Sequence, residues 1–291
     1  MDEPPDDVRA LAEPHVPNGT WTSVGWDHGE SRVWRVEGRT TVYVKRHRRA
    51  RKQPQELRAY RDWLSQHPGR CPTVLAADRT TLVLSALPGR LVDGLELPQT
   101  VAIDLHRQAG RWLRALHDVP IADGRAPWLA TDIPSRAREW ATRAEGLVAN
   151  RVTERLLDTV TVECFADCDA VPCHRDFSPR NWLVDDHGQL GVIDFESSHP
   201  DCAMVDLVKL VQGPWLDDPS LEPAFWKGYG RTPGPEDRAR LDALDLLVAV
   251  STVVWARDHH DATFEAFGRT QIDRWLASHA DGPSRTGSAS P

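Results

Sequence analysis

The run His174-Arg-Asp-Phe-Ser-Pro-Arg-Asn181 places a carboxylate, Asp176, five residues ahead of an amide, Asn181. A second acid, Asp194, follows in Val-Ile-Asp-Phe-Glu at 192–196. Between them, Trp-Leu-Val and Gln-Leu-Gly-Val-Ile flank Asp-Asp-His-Gly, so 182–194 reads as a β-hairpin. A hairpin brings its ends together, and Asn181 and Asp194 are therefore expected to be neighbours. An amide oxygen beside a carboxylate suits a hard divalent cation that also takes phosphate oxygens. Asp176, set slightly apart, is left to hold a hydroxyl proton. Phosphoryl transfer needs both: a metal to neutralise developing charge and an acid to orient the nucleophile. The competing explanation is a capping Asp among ordinary turn residues.

The elements that would position these groups can be read on either side. Residues 1–20 form a leader in which Asp-Asp-Val-Arg-Ala-Leu-Ala-Glu reads as a short helix. From 21 to 87 the chain is strand-rich. Ser-Arg-Val-Trp-Arg-Val-Glu-Gly and Thr-Thr-Val-Tyr-Val-Lys-Arg-His alternate and are rich in β-branched residues. A helix is expected over 54–66, with Leu57, Tyr60, Trp63 and Leu64 turned inward, and two further strands end at Pro88-Gly89. Residues 88–280 carry helical spacing at 96–119 and in parts of 135–162 and 236–278, and the tail 281–291 reads as flexible. The expected architecture is α+β: a small β-rich N-lobe, a short hinge, and a larger helical C-lobe holding one hairpin.

Composition narrows the partners. Net charge is −8 over 291 residues, yet residues 1–90 carry 15 Lys+Arg against 11 Asp+Glu. A basic first third with an acidic remainder suits one lobe handling an anion and another receiving a cation, and argues against nucleic acid. Only four residues are lysines, which singles each of them out. The acidic, Pro-rich start does not resemble a secretory signal, and the apolar run at 246–256 is too short to span a bilayer and reads as a buried helix. A cytoplasmic protein is expected, without a membrane partner, as a monomer or homodimer. Cys164, Cys168, Cys173 and His174 raise the question of zinc, but their intervals do not match paired CxxC spacing, and the cysteines are read as small buried residues.

His-Arg-Asp-x-x-x-x-Asn followed by Asp-Phe-x resembles the catalytic and metal signature of the protein-kinase-like fold. The resemblance implies Asp176 as catalytic base and Asn181 and Asp194 as Mg2+ ligands. Lys45 falls on the strand where that fold keeps a lysine for the nucleotide's α- and β-phosphates, and Glu56 on the next helix is its natural ion-pair partner. The phosphate loop has only Gly25 and Gly29, with Ser31 and nearby amides available to a phosphate. Leu-Val-Leu-Ser-Ala-Leu-Pro-Gly looks like the strand and hinge that read adenine around Ser85 and Leu87. No Ala-Pro-Glu follows Asp194, and Ser178 stands where protein kinases have a catalytic-loop lysine.

Residues 174–210 instead look like the aminoglycoside phosphotransferase and choline-kinase-like families, and the likeness covers about 21–280. It implies an ATP-dependent (GTP as alternative) O-phosphotransferase acting on a small-molecule hydroxyl. The expected acceptor is an aminoglycoside, another amine-bearing antibiotic or a nucleoside antibiotic, with resistance as the outcome. Metabolic kinases of the choline, homoserine or fructosamine type and an inactive pseudokinase module are the alternatives. Many relatives have Gly at the place of Arg175, which suggests that Arg175 pairs locally with an acid. Glu196, in place of a common glycine, is read either as facing the substrate or as a surface residue. Asp201, Asp258 and Asp261 are further candidates for gripping ammonium groups. Asp206 is read as bonding the catalytic-loop backbone, and His117, His259 and His260 as packing or surface residues.

Overall fold

The computed structural model describes residues 3–24, 31–65, 67, 69–121 and 128–280. The phosphate-loop glycines Gly25 and Gly29 and the tail 281–291 lie outside the described residues. Among the described residues, no helix is long and apolar enough to cross a membrane.

A short helix, α1 (Asp6–Ala12), precedes five strands: β1 (Thr20–Ser23), β2 (Ser31–Glu37), β3 (Thr41–His47), β4 (Val74–Ala77) and β5 (Thr81–Ser85). They pair antiparallel in the order β1-β2-β3-β5-β4. Period-two alternation puts Trp34, Val36, Val42, Val44 and Val83 against Val8 and Ala12 of α1, closing one core. β3 is the middle strand, and its other face is covered as well. Lys45 and His47, two residues apart and therefore on that same face, are both buried.

The cover comes from α2 (Lys52–Arg58), which buries Gln53 and Glu56. The helix does not run on unbroken to 66 as its spacing suggests. A π turn over Ala59–Trp63, closed by the Leu64 N–H to the Ala59 carbonyl at 3.0 Å, inserts one extra residue. That rotation sends Ala59, Tyr60 and Trp63 inward and leaves Leu57 half-buried.

β6 (Arg90–Leu91) leads into α3 (Gln99–His117), and α4 (Leu129–Arg143) and α5 (Asn150–Thr159) follow. Next come β7 (Ala170–Cys173), the hairpin β8 (Trp182–Val184) and β9 (Leu190–Val192), and β10 (His199–Cys202). α6 (Val208–Val211), α7 (Pro214–Asp217), α8 (Leu221–Tyr229), α9 (Pro235–Asp258) and α10 (Ala262–Ser278) complete the fold. It is α+β, with a small antiparallel N-terminal lobe and a mainly helical remainder that holds the hairpin.

By contacts the chain divides into two compact units, Met1–Ala126 with Asp169–Gly234, and Pro127–Cys168 with Pro235–Pro291. In the first, α3 and α8 touch backbone to backbone. A Cβ on Gly228 would lie 1.9 Å from the Arg107 carbonyl oxygen, and one on Gly110 would lie 2.1 Å from that of Phe225. Only glycine allows that approach. In the second unit the apolar run at 246–256 is indeed a buried stretch of α9, which packs on α10 and is met by α4 and α5.

Candidate active site

Each candidate residue on the loop 174–196 adjoins an aromatic anchor. Phe177, Trp182 and Phe195 are fully buried, while Asp176, Asn181 and Asp194 are their immediate neighbours. Trp112 of α3 stacks on Phe177 at 5.8 Å between centroids and meets Phe195 at 5.9 Å. Phe177 meets Trp182 at 5.1 Å, and Tyr60 meets Phe195 edge-on at 5.3 Å. Burying the rings fixes the loop and with it the residues beside them, of which Asp194 is exposed, Asp176 half-buried and Asn181 buried.

Backbone bonds set the loop's path. The hairpin pairs Trp182 with Val192 and Val184 with Leu190, and Ile193 N–H donates to the Asn181 carbonyl at 3.0 Å. Asn181 is thus brought to the residue before Asp194. His174 accepts from Asp176 N–H at Nδ1 (3.2 Å), so its Nε2–H donates to the Ile193 carbonyl (3.0 Å) and ties loop to hairpin. Asp206 is fully buried and accepts from the backbone N–H of His174 (2.9 Å) and Arg175, and from His117 Nε2 (3.0 Å). His117 in turn meets the Tyr229 hydroxyl at 2.8 Å. Two non-glycine residues adopt left-handed backbone here, Arg175 at φ +63° and Asp194 at φ +65°. Each costs about 1–2 kcal/mol. The bonds to Asp206 hold the first, and the Arg175 side chain reaches buried Asp201 (Nε to Oδ2, 3.3 Å). A local acid was expected for Arg175; the partner found, Asp201, is 26 residues along the chain.

Asn181 Nδ2 donates to the Asp176 backbone carbonyl (2.8 Å) and to Asp176 Oδ2 (2.9 Å). This orients the Asp176 carboxylate and leaves Asn181 Oδ1 as the free acceptor of its amide. Arg180, four residues along, approaches both Asp176 oxygens at 3.2 and 3.3 Å.

Lys45 carries the rest of the site. Its Nζ lies 2.6 Å from Asp194 Oδ1, 3.0 Å from Glu56 Oε2 and 2.9 Å from Glu196 Oε2. Burial opposes the charge on Lys45, but the three carboxylates outweigh it and hold the ammonium well above its usual range. Desolvation pushes Asp194 up, and Lys45 more than offsets it, keeping that carboxyl below the usual range. Ser31 Oγ donates to Glu196 Oε2 at 2.8 Å, so Glu196 and Ser31 both stand at the lysine.

At the hinge, Ser85 N–H donates to the Thr73 carbonyl at 2.9 Å, and the Ser85 hydroxyl accepts from Thr73 N–H at 2.9 Å. The backbone N–H and carbonyl of Leu87 make no bond among the described residues. Asp201, besides Arg175, accepts from Cys202 N–H at 2.8 Å. Asp258 and Asp261 belong to the other compact unit, where Asp258 pairs with Arg143 at 2.6 Å and Asp261 caps α10 through Phe264 N–H at 2.9 Å. His259 stacks on Trp255 at 3.9 Å, a packing role.

Three residues near the site were not singled out as site residues from the sequence: His47, Arg180 and Lys209. Lys209 is half-buried and interacts electrostatically with Asp176 and Arg180; burial lowers its ammonium below the usual range and Asp176 opposes that. The rarity of lysine pointed to it. Arg180 could have been found from its place one residue before Asn181, and His47 from its period-two spacing to Lys45.

A profile of the phosphotransferase enzyme family matches residues 20–244. No curated protein sequence matches the chain. Among solved structures it is similar to aminoglycoside phosphotransferase APH(2")-IIa in complex with gentamicin, at 14% identity and a TM-score of 0.71 over 94% of this chain and 97% of that one. It is also similar to a thermostable mutant of APH(4)-Ia in ternary complex with ADP and hygromycin B, at 16% identity and 0.71 over 94% and 99%. A third is the apoenzyme of macrolide 2'-phosphotransferase MphH from Brachybacterium faecium, at 17% identity and 0.66 over 96% and 99%. These likenesses share the protein-kinase-like fold, and the profile spans most of the chain, so the protein belongs to the phosphotransferase enzyme family.

Proposed function

We propose that this small-molecule phosphotransferase moves the γ-phosphate of ATP, with GTP as a second donor, to a hydroxyl of an antibiotic. Residues 21–87 hold the nucleotide, with the backbone of Leu87 meeting the base and Lys45 and Ser31 meeting the phosphates. Residues 88–280 hold the catalytic loop and the acceptor. The observation that carries the reading is the Lys45 ammonium, bonded at once to Glu56 of α2 and to Asp194 beyond the hairpin, 149 residues away. A lysine so placed is aimed at phosphate and adjoins the acids that manage its metal.

Asp176 accepts the acceptor's hydroxyl proton. Asn181 Nδ2 donates to its Oδ2 and Arg180 approaches both of its oxygens, so the carboxylate is held in one orientation for the hydroxyl. The donor set fits Mg2+: Asn181 is tied back through its nitrogen and presents its oxygen, and Asp194 presents a carboxylate. Bound there, the ion would neutralise charge on the phosphates. Solved structures of this fold with gentamicin or with ADP and hygromycin B support an antibiotic acceptor. Near the reacting hydroxyl the protein offers positive charge, from Arg180 and Lys209, while Glu196 and Asp201 are engaged. Ammonium groups of an amine-bearing acceptor are therefore received away from Asp176.

The test is ADP release from MgATP over a panel of aminoglycosides, macrolides and nucleoside antibiotics. Asp176→Asn is expected to lower kcat by about 100- to 10,000-fold with nucleotide still bound. Asp194→Ala is expected to weaken Mg2+-dependent nucleotide binding instead. Near-normal turnover by Asp176→Asn refutes its role, and nucleotide binding without turnover on any acceptor would favour a binding module.

A further inference from the structure

His47 lies on β3 two residues beyond Lys45 and shares its face, and its side chain is completely buried, as is that of Glu56. Its Nδ1 faces the Thr80 carbonyl at 3.1 Å, and its Nε2 lies 2.7 Å from Glu56 Oε2. A carboxylate oxygen accepts, so at the shorter of the two contacts Nε2–H donates to Glu56 Oε2. The Thr80 carbonyl is itself fixed: it accepts His47 N–H at 2.8 Å, and Asp78 Oδ1 accepts from Thr80 N–H (2.8 Å) and Thr81 N–H (2.7 Å).

We propose that His47 is a positioning residue for Lys45, acting through Glu56, which deepens the nucleotide-binding role assigned above and rests on that reading. The bond from His47 holds Glu56 Oε2 within 3.0 Å of Lys45 Nζ, so the carboxylate that steadies the ammonium is fixed from the strand side and not by the helix alone. The ring is thus a second arm on the same carboxylate, braced by the Asp78 turn.

Two readouts on the full chain test this. The first needs no ligand: the protected 1H–15N signal of the Lys45 ammonium is expected to shift or broaden in His47→Leu and to return in His47→Gln, whose amide can donate to Glu56. The second is affinity for MgATP by calorimetry. His47→Leu is expected to weaken it about tenfold, the range for losing a hydrogen bond to a charged group, with His47→Gln recovering most of the loss. In a Lys45→Ala background, His47→Leu should change nucleotide affinity no further. A folded His47→Leu with an unmoved lysine signal and wild-type affinity overturns the proposal, as does an equal loss in the Lys45→Ala background, which is what simple packing would give. If wild-type protein binds no nucleotide, the proposed function falls, and the lysine signal still decides the role of His47.

Discussion

Replacing Lys45 by Met removes the only ammonium from a buried group of acids and keeps the length of the side chain. Glu56 is fully buried and Glu196 nearly so, whereas Asp194 is open to solvent on one side. Breaking a buried ion pair by deleting one partner costs about 3–5 kcal/mol, because the other charge is left uncompensated. The exposed Asp194 link adds little, and His47 remains on Glu56. The lower end, about 3 kcal/mol, is therefore expected at pH 7, a fall in Tm of about 6–12 °C for a chain of this size. In the wild type, Lys45 depresses Asp194, so the stability from that pair is present above the unfolded carboxylate pKa and lost as pH falls below about 4. Lys45→Met lacks that contribution, so its deficit is present at pH 7 and narrows as pH falls below about 4. Thermal melts of both proteins at pH 3, 5 and 7 give the comparison. An unchanged Tm at pH 7, or a deficit that grows on acidification, refutes the account of the cluster.

Arg175→Gly should relieve about 1 kcal/mol of left-handed backbone strain and lose the ion pair to Asp201. Because buried Asp201 loses its guanidinium, which costs about 3 kcal/mol, we expect a net loss of about 2 kcal/mol by urea titration, with kcat lowered as the loop loses its brace. Gly228→Ala puts a Cβ 1.9 Å from a backbone oxygen of α3, and the forced separation of α3 and α8 should cost about 1–3 kcal/mol in melting experiments. Asp185 accepts from Arg70 and from the N–H groups of His187 and Gln189, and the Arg70 guanidinium first among these pulls its carboxyl down to about 2. Its contribution is therefore complete above the unfolded pKa of about 4 and lost as pH falls toward 2. The stability deficit of Asp185→Asn should be present at pH 6 and vanish by pH 2 in acid-unfolding curves.

The parts of the site that were legible are those set by local chain geometry. Residue types and a hairpin of known length sufficed to bring Asn181 next to Asp194, whereas Glu56 against Lys45 was implied by the resemblance to the protein-kinase-like fold. The strand pair β7 and β10 was not visible, since Pro172 and Pro200 face each other in its register and proline argues against a strand. The π turn after Glu56 has no marker in residue type, yet it decides that Tyr60 reaches Phe195. The partners of the candidate acids were the least legible. Asp201 is a plausible amine grip until Arg175 is seen beside it, and a sequence does not show which partner, 26 residues away, a carboxylate will meet. The composite second unit was hidden for the same reason, because its halves are far apart in the chain.

That division has a consequence for how the polypeptide is made. α4 and α5 leave the ribosome well before α9, the helix that receives them, with Asp169–Gly234 synthesised in between. At about 5–20 residues per second, the wait lasts several seconds. During it the side chains of Val152, Leu156 and Ile133, buried at maturity, have only temporary company. Slower decoding across that intervening stretch would lengthen the exposure of these two helices to aggregation or capture by chaperones, whereas the sheet around β3, complete by Ser85, would already have closed.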